Sequence, residues 1–261
     1  MWLTSVARKV LSPAVRDAIV AKQRQFRLQK IRTGTVDFGD FKRVTPISSM
    51  FGFDRGQAID RYYIEHFLKQ NADCINGRCL EMGDPTYIRK FGNGVTQTDV
   101  MHYVAGNPEA TIVGDLTCAD HIPSDTFDCI IFTQSLQMIY DLKAALRTLH
   151  RILKPGGSCL LTSAGLSKIA RRLGEDDWGE YWHLTTQSAE ALFAETFPGA
   201  EVQVDSYGNV LSAVSFLHGL AAEELDTEKL DHRDKDFELL VVVRATKSHS
   251  GNLTIESTVV R

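Results

Sequence analysis

The 261-residue sequence predicts an α/β fold: a seven-stranded, mostly parallel sheet with helices on both faces, preceded by a basic N-terminal helical arm. Three observations carry this. From residue 78 onward short apolar runs alternate with helix-period patterns, the sequence form of a parallel sheet wrapped by helices. Hydrophobic residues make up 43% and charged residues 24%, enough apolar matter for a sizeable core and too much for a disordered chain. The charge is uneven, because residues 1–43 hold 10 basic and 3 acidic side chains while the whole chain carries −4. The body is therefore acidic and repels a phosphate backbone, so no nucleic-acid partner is expected.

In chain order the arm comes first. Residues 13–32 read as a helix, with Val15, Ile19 and Phe26 on one face and Lys22, Arg24, Arg27 and Lys30 mostly elsewhere. Three readings stand: a solvated or oligomer-packing helix, an arm lying on anionic lipid as a peripheral membrane contact through residues 1–43, or an organelle transit peptide. Residues 34–49 are linker-like. The chain thus divides into an arm and linker at 1–45, an α/β domain at 46–247 and a polar tail at 248–261. Seven strands follow, at 79–82, 95–100, 110–115, 128–133, 158–163, 201–206 and 238–245. The strongest helix is 142–153, where Leu142, Ala145, Leu146, Leu149, Ile152 and Leu153 form one apolar face, stopped by Lys154-Pro155-Gly156-Gly157. A second helix spans 187–195. Between strands six and seven, residues 210–225 form an apolar helical insert that either roofs a pocket or makes a homodimer contact.

The longest interior uncharged stretch, 206–222, is too short and too polar to cross a bilayer. The opening residues carry charges where a secretory signal has its apolar core, so the expectation is a cytoplasmic chain, membrane-peripheral if the arm binds lipid. Cys74, Cys79, Cys118, Cys129 and Cys159 show no metal-type spacing, and Cys79, Cys129 and Cys159 fall in strands, where a thiol packs as a small hydrophobe.

Ligands of such sheets bind at the carboxyl ends of strands. The first strand ends with Glu81, followed by Gly83, which frees the backbone for close approach to a ligand. Asp99 closes the next strand and is placed to accept both hydroxyls of a ribose; a solvated loop acid is the plain alternative. Asp115 closes the third and precedes Leu116, a pair suited to an exocyclic amine and a purine face. Together the three acids describe a site for a ribose and a base without acidic phosphates, which they would repel.

The order Leu80-Glu81-Met82-Gly83, strand-end acid, Gly114-Asp115-Leu116, Phe127-Asp128-Cys129-Ile130-Ile131-Phe132-Thr133-Gln134-Ser135-Leu136 and Leu153-Lys154-Pro155-Gly156-Gly157 resembles the class I S-adenosylmethionine-dependent methyltransferases, over about residues 55–247. The segment 51–65 also looks like a bacterial subgroup of these enzymes found among glycan-assembly proteins. The resemblance implies a Rossmann-like sheet, S-adenosyl-L-methionine as cofactor and a methyltransferase domain at 46–247. It further implies that Glu81, Gly83 and Asp84 begin the loop around the methionine part of the cofactor, that Asp99 binds its ribose, that Asp115 and Leu116 contact its adenine, and that Gln134 lines the methyl-transfer mouth. The family's later loop glycines are here Pro85 and Tyr87, so backbone approach is less free. Gln137 and Met138 replace a His pair common in relatives, so no base is assigned there.

For the acceptor side, His183 is the first candidate base, from the aromatic segment Trp178-Gly179-Glu180-Tyr181-Trp182-His183, with an ordinary loop histidine as the alternative. His218 in the insert is a second. Tyr63, Trp182 and Tyr207 are candidate acceptor-binding residues; Trp178, Tyr181, Trp182 and Tyr207 offer stacking faces, although aromatics near a sheet edge also serve as core. Arg55, Arg61, Tyr62 and Tyr63 form either a lid, with an Arg on the cofactor's carboxylate, or a helix surface paired to Asp60 or Glu65. The expectation is O-methylation of a small-molecule or glycan acceptor, ahead of nitrogen or carbon, with no metal. The competing readings are a cofactor-fold protein that binds without turnover and a membrane-recruited assembly partner.

Overall fold

The computed structural model describes residues 33–170 and 179–249. The expected arm helix at 13–32, Trp178 and the tail beyond residue 249 lie outside the described residues. Internal contacts separate Met1–Val44 from Thr45–Arg261. In the first unit the described residues include one 3₁₀ turn, Gly39–Phe41.

The second unit carries the sheet. Its strands are β1 (Gly77–Met82), β2 (Val95–His102), β3 (Ile112–Val113), β4 (Phe127–Thr133), β5 (Leu153–Ala164), β6 (Glu201–Tyr207) and β7 (Leu240–Thr246), in the spatial order β3-β2-β1-β4-β5-β7-β6. Strands β1 to β5 pair in parallel, and β7 runs antiparallel between β5 and β6. All seven expected strands are present. The order reverses between β1 and β4, and that switch point places a crevice at their carboxyl ends.

Alternation along each strand supplies two cores, because successive side chains point to opposite faces of a sheet. In β4, Ile130 and Phe132 join Leu80, Leu161, Val241 and Val243 on one face, while Cys129 and Ile131 join Cys79, Leu160 and Val242 on the other. The first face is covered by α3 (Leu142–Ile152) and α4 (Thr186–Thr196), the second by α1 (Ile59–Gln70), α2 (Thr86–Phe91) and α5 (Val210–His218). Asp141 caps α3 by accepting from Ala144 N at 2.9 Å, a contact worth about 1 kcal/mol. Cys79, Cys129 and Cys159 are free and buried among these side chains.

Strand β5 begins at Leu153, well before the expected 158, and three further boundary differences bear on the site. Strand β2 runs on through Val100 and Met101 to His102, which leaves Asp99 inside it. Strand β3 is only Ile112–Val113, and Asp115 instead opens a 3₁₀ turn, accepting from Thr117 N at 2.8 Å. The insert does not remain helical to residue 225: Gly219 ends α5 at φ 73°, where a Cβ would run into the Ser48 carbonyl. A short helix, α6 (Thr227–Asp231), follows it. Asn209 caps α5 and donates to Lys229 O and His232 O, both at 2.7 Å, tying the insert's two ends together.

Candidate functional site

At the β1 end, Glu81 is 3% exposed, and its carboxylate accepts from Tyr87 N at 3.0 Å and Ile88 N at 2.8 Å. It therefore holds the start of α2 and so shapes the loop 83–86. Burial pushes its pKa up to about 7, opposed by those two N–H groups. Gly83 has φ 84°, and nothing lies within 4 Å of where its Cβ would be, so the backbone there is open to a ligand. Asp84 is exposed and is occupied with its own turn, accepting from Thr86 N at 3.0 Å.

At the β2 end the expectation is corrected. Asp99 pairs in register with Leu80, inside the strand, and is 4% exposed. Its carboxylate accepts from Arg78 Nε at 2.7 Å, Gln97 Nε2 at 3.2 Å and Thr111 Oγ1 at 3.0 Å. Those bonds make it a structural ion pair across β1, β2 and the approach to β3. The residue that closes β2 is His102, half-buried, with Nδ1 2.9 Å from Val104 O. The Val104 N–H also points to this nitrogen, at 3.4 Å.

At the β3 end Asp115 spends one oxygen on its turn, whereas Leu116 is 3% exposed and packs into the core with Ala119 and Ile122. Its side chain is thus part of the core beneath this turn. Gly83, His102 and Asp115 nevertheless end three neighbouring strands, as a ligand laid across β1, β2 and β3 requires.

Beyond the switch point lies a cavity of about 200 Å³. Gln134 from the β4 end, Ala164 from the β5 end and Leu239 from the approach to β7 form its base; Phe51, Phe53 and Phe216 form apolar walls. Gln134 has φ +49°, a strained setting for a residue with a side chain, and its Oε1 accepts from Gln137 Nε2 at 2.6 Å. Lys168 lies with Nζ 3.6 Å from the centre of the Phe51 ring, and burial lowers its pKa, with Glu180 opposing. Glu180 lines the cavity with a buried side chain, accepting from Ala170 N. Asp60 and Arg61, at the start of α1, line it as well.

Several expected acceptor residues fall elsewhere. His183 is exposed and sits behind Glu180, its Nε2 3.2 Å from Glu180 Oε1, so the carboxylate and not the imidazole faces the cavity. Tyr63 and Tyr207 are core, stacked at 5.3 Å, with hydroxyls donating to Leu230 O at 2.8 Å and Gln70 Oε1 at 3.0 Å. Trp182 donates to Ile139 O at 3.1 Å and packs on Tyr140 outside the cavity. His218 ends α5 and is not among the cavity's walls; Phe216 of the same helix is, which makes the insert a roof. Arg55 is committed to Glu224, and Glu65 to Lys90 at 2.6 Å. Lys168 and Glu180 were not singled out from sequence as site residues; Asp60 was read only as an ion-pair partner, and His102 only as a residue shaping the loop after β2.

A strand order with the reversal at β1 and β4, an antiparallel β7, an open glycine after β1 and polar groups at the next two strand ends define the class I methyltransferase fold. Residues 44–196 match the family described as methyltransferase domain. The chain belongs to that family, whose cofactor is S-adenosyl-L-methionine. It is similar to a ubiquinone/menaquinone biosynthesis C-methyltransferase of Pectobacterium atrosepticum, 38% identical over 165 residues that cover 55% of this chain and 60% of the relative. The same-named protein of an Enterobacter species is 33% identical over 87 residues, 33% of this chain and 29% of that one. The chain thus spans less than two thirds of the length of these relatives. Among solved structures it is similar to an S-adenosylmethionine-dependent methyltransferase from Mesorhizobium loti, at 16% identity, 75% of this chain, 100% of that chain and a TM-score of 0.46. It is also similar to the CurJ carbon methyltransferase, at 16% identity, 76% of this chain, 57% of that chain and a TM-score of 0.49.

Proposed function

We propose that this chain moves the methyl group of S-adenosyl-L-methionine to a carbon or oxygen nucleophile on a single ring of a small organic acceptor. When bound, the cofactor supplies an electrophilic methyl carbon on a positively charged sulfur. Gly83 offers open backbone, His102 Nε2 accepts from a ribose hydroxyl in place of a carboxylate, and Asp115 uses its second oxygen for the adenine amine. The observation that carries the acceptor reading is the cavity of about 200 Å³ next to Gln134, apolar on most sides yet holding Lys168 and Glu180. A cavity near this size suits one ring. Glu180 takes the proton of an enol or phenol, Lys168 stabilises the resulting anion, and Gln134 aligns it for in-line attack. Such an anion is nucleophilic at both oxygen and ring carbon, and carbon methylation is the activity in the names of the curated relatives. A second reading places a terminal sugar ring in the same cavity; the exposed cluster of Tyr140, Tyr181 and Trp182 beside its mouth favours it, as a stacking platform for the rest of a glycan. The methyltransferase domain is read as residues 46–247, with an arm and linker at 1–45 and a tail at 248–261, a division supported by the break in contacts after Val44.

The test is transfer of isotope-labelled methyl to a panel of phenols, hydroquinones and oligosaccharides, with the product located by NMR. Label on a ring carbon or phenolic oxygen, lost by about 10²-fold in Glu180→Gln with cofactor binding kept, supports the first reading. Label on saccharides alone supports the second.

A further inference from the structure

The polar side chains in the walls of the cavity have partners, with one exception. Gln134 Oε1 accepts from Gln137 Nε2 at 2.6 Å, and Gln137 Oε1 accepts from Ser163 Oγ at 3.3 Å. Ser167 Oγ donates to Lys168 O at 2.9 Å. Glu180 accepts from Ala170 N and lies against His183, Lys168 lies over the Phe51 ring, and Arg61 is hydrogen-bonded to Tyr87. The exception is Asp60: it is 8% exposed, it lines the cavity, and its Oδ1 has no hydrogen-bond partner among the described residues. Leaving a buried oxygen in that state costs free energy until a donor completes it. Burial raises the pKa of this carboxyl, and the Arg61 charge with the N–H groups of Arg61 and Asp60 opposes that rise. Among the described residues none between Arg61 and Gln134 stands in the walls, so the loop after β1 and the ends of β2 and β3 are not part of this chamber. The missing donor therefore belongs to the molecule that fills the chamber beyond the switch point. Asp60 reaches it from the start of α1, whereas Lys168 and Glu180 come from the segment between β5 and α4.

On the reading that the cavity takes a phenol or enol whose proton goes to Glu180, we infer that Asp60 is a specificity-determining residue: its Oδ1 accepts from a second donor on the acceptor ring, a hydroxyl or amino group that is not itself methylated. A hydroxyl carries a single proton. Once Glu180 has taken it, the oxygen left behind has nothing to give Asp60, so a separate group on the ring must supply the bond. A ring with a methoxy group or a bare hydrogen at that place leaves the carboxyl oxygen buried and unpartnered, and is rejected. Asp60 thus selects which ring is accepted and takes no part in removing the proton.

Transfer of labelled methyl to matched pairs of rings tests it: resorcinol and 3-aminophenol against 3-methoxyphenol, and hydroquinone against 4-methoxyphenol. Hydroxyl and methoxy groups donate electrons to a ring to a similar extent, so the pairs differ chiefly in the lost donor. Wild type is expected to favour the donor-bearing ring of at least one pair by about tenfold or more in kcat/KM. Asp60→Asn keeps the size of the side chain, and its amide turns to meet either group, so the ratio is expected to fall to within about twofold of one. Asp60→Ala, which offers no acceptor, is expected to lose the preference as well. Melting temperature checks folding, and calorimetry with S-adenosylhomocysteine is expected to give wild-type affinity in both variants. A wild type that uses both rings of every pair equally, or variants that keep the wild-type ratio, overturns the inference while leaving transfer to phenols standing. Loss of S-adenosylhomocysteine affinity in both variants assigns Asp60 to the cofactor and also overturns it. A wild type that methylates none of these rings removes the phenol reading itself, and the selection by Asp60 with it.

Discussion

Replacing Glu81 by Gln tests how a buried carboxylate organises the cofactor loop. Its pKa, ordinarily 4.5, stands at about 7 because burial outweighs the two N–H groups it accepts from. At about 1.4 kcal/mol for each pH unit, that difference amounts to about 3 kcal/mol. The native chain holds this proton more tightly than the unfolded chain. The stabilisation is therefore complete below about pH 4.5, declines as pH rises and is gone above about pH 7. A glutamine has no proton to lose in this range. It keeps one acceptor for Tyr87 or Ile88 and turns an amide group toward the other N–H, at a cost of about 1–3 kcal/mol. Glu81→Gln is thus less stable than wild type near pH 5, and the gap closes or reverses near pH 8. With about 2–4 °C for each kcal/mol in a domain this size, the relative melting temperature moves by about 6–12 °C across the window. Thermal denaturation of both chains at matched pH values reads it. Parallel curves would refute the assignment of this proton to Glu81.

Asp99→Asn, which removes the anion facing Arg78, is expected to cost about 1–3 kcal/mol of stability in urea denaturation while S-adenosylhomocysteine affinity stays within about twofold of wild type, the reverse of a ribose ligand's behaviour. His102→Ala should show the opposite pattern: an unchanged melting temperature and about tenfold weaker S-adenosylhomocysteine binding by calorimetry, consistent with one lost ribose bond. Gln134→Gly relieves the φ +49° backbone and should raise the melting temperature, by about 1 kcal/mol of stability, yet lower turnover because the cavity loses the amide that Gln137 positions. A Gln134→Gly chain with both unchanged would show the strain to be idle.

The sheet was legible because its central strands carry contiguous apolar runs, as in Cys129 to Phe132, and because the capped stripe of α3 has an unambiguous period. The site was legible only where chemistry follows from strand order. Gly83, Asp115 and Gln134 stand just past the ends of β1, β3 and β4, where the ends of the runs and, for Gln134, the resemblance put them. Asp99 misled because an acid was taken as a boundary, whereas Arg78 on the neighbouring strand neutralises it and lets the strand continue through Val100 and Met101. Tyr63 and Tyr207 misled for the converse reason: their rings stack on each other across 144 positions of sequence, and local pattern does not reveal such a contact. Asp60 was read from sequence only as a helix-surface ion-pair partner; it is 8% exposed and shares the cavity with Phe51, from the segment before α1, and Phe216, from the insert. Nothing within five residues of it marks an acid deprived of water.

The antiparallel β7 begins where β6 stops, since Tyr207 and Leu240 are partners in the last rung of their ladder. Everything between those two residues is consequently one inserted segment whose entry and exit points abut. It contributes Phe216 and Leu239 to the cavity. Changes in that segment therefore reshape the cavity at Phe216 and Leu239, while Gly83, His102 and Asp115 stand on the other side of the sheet order.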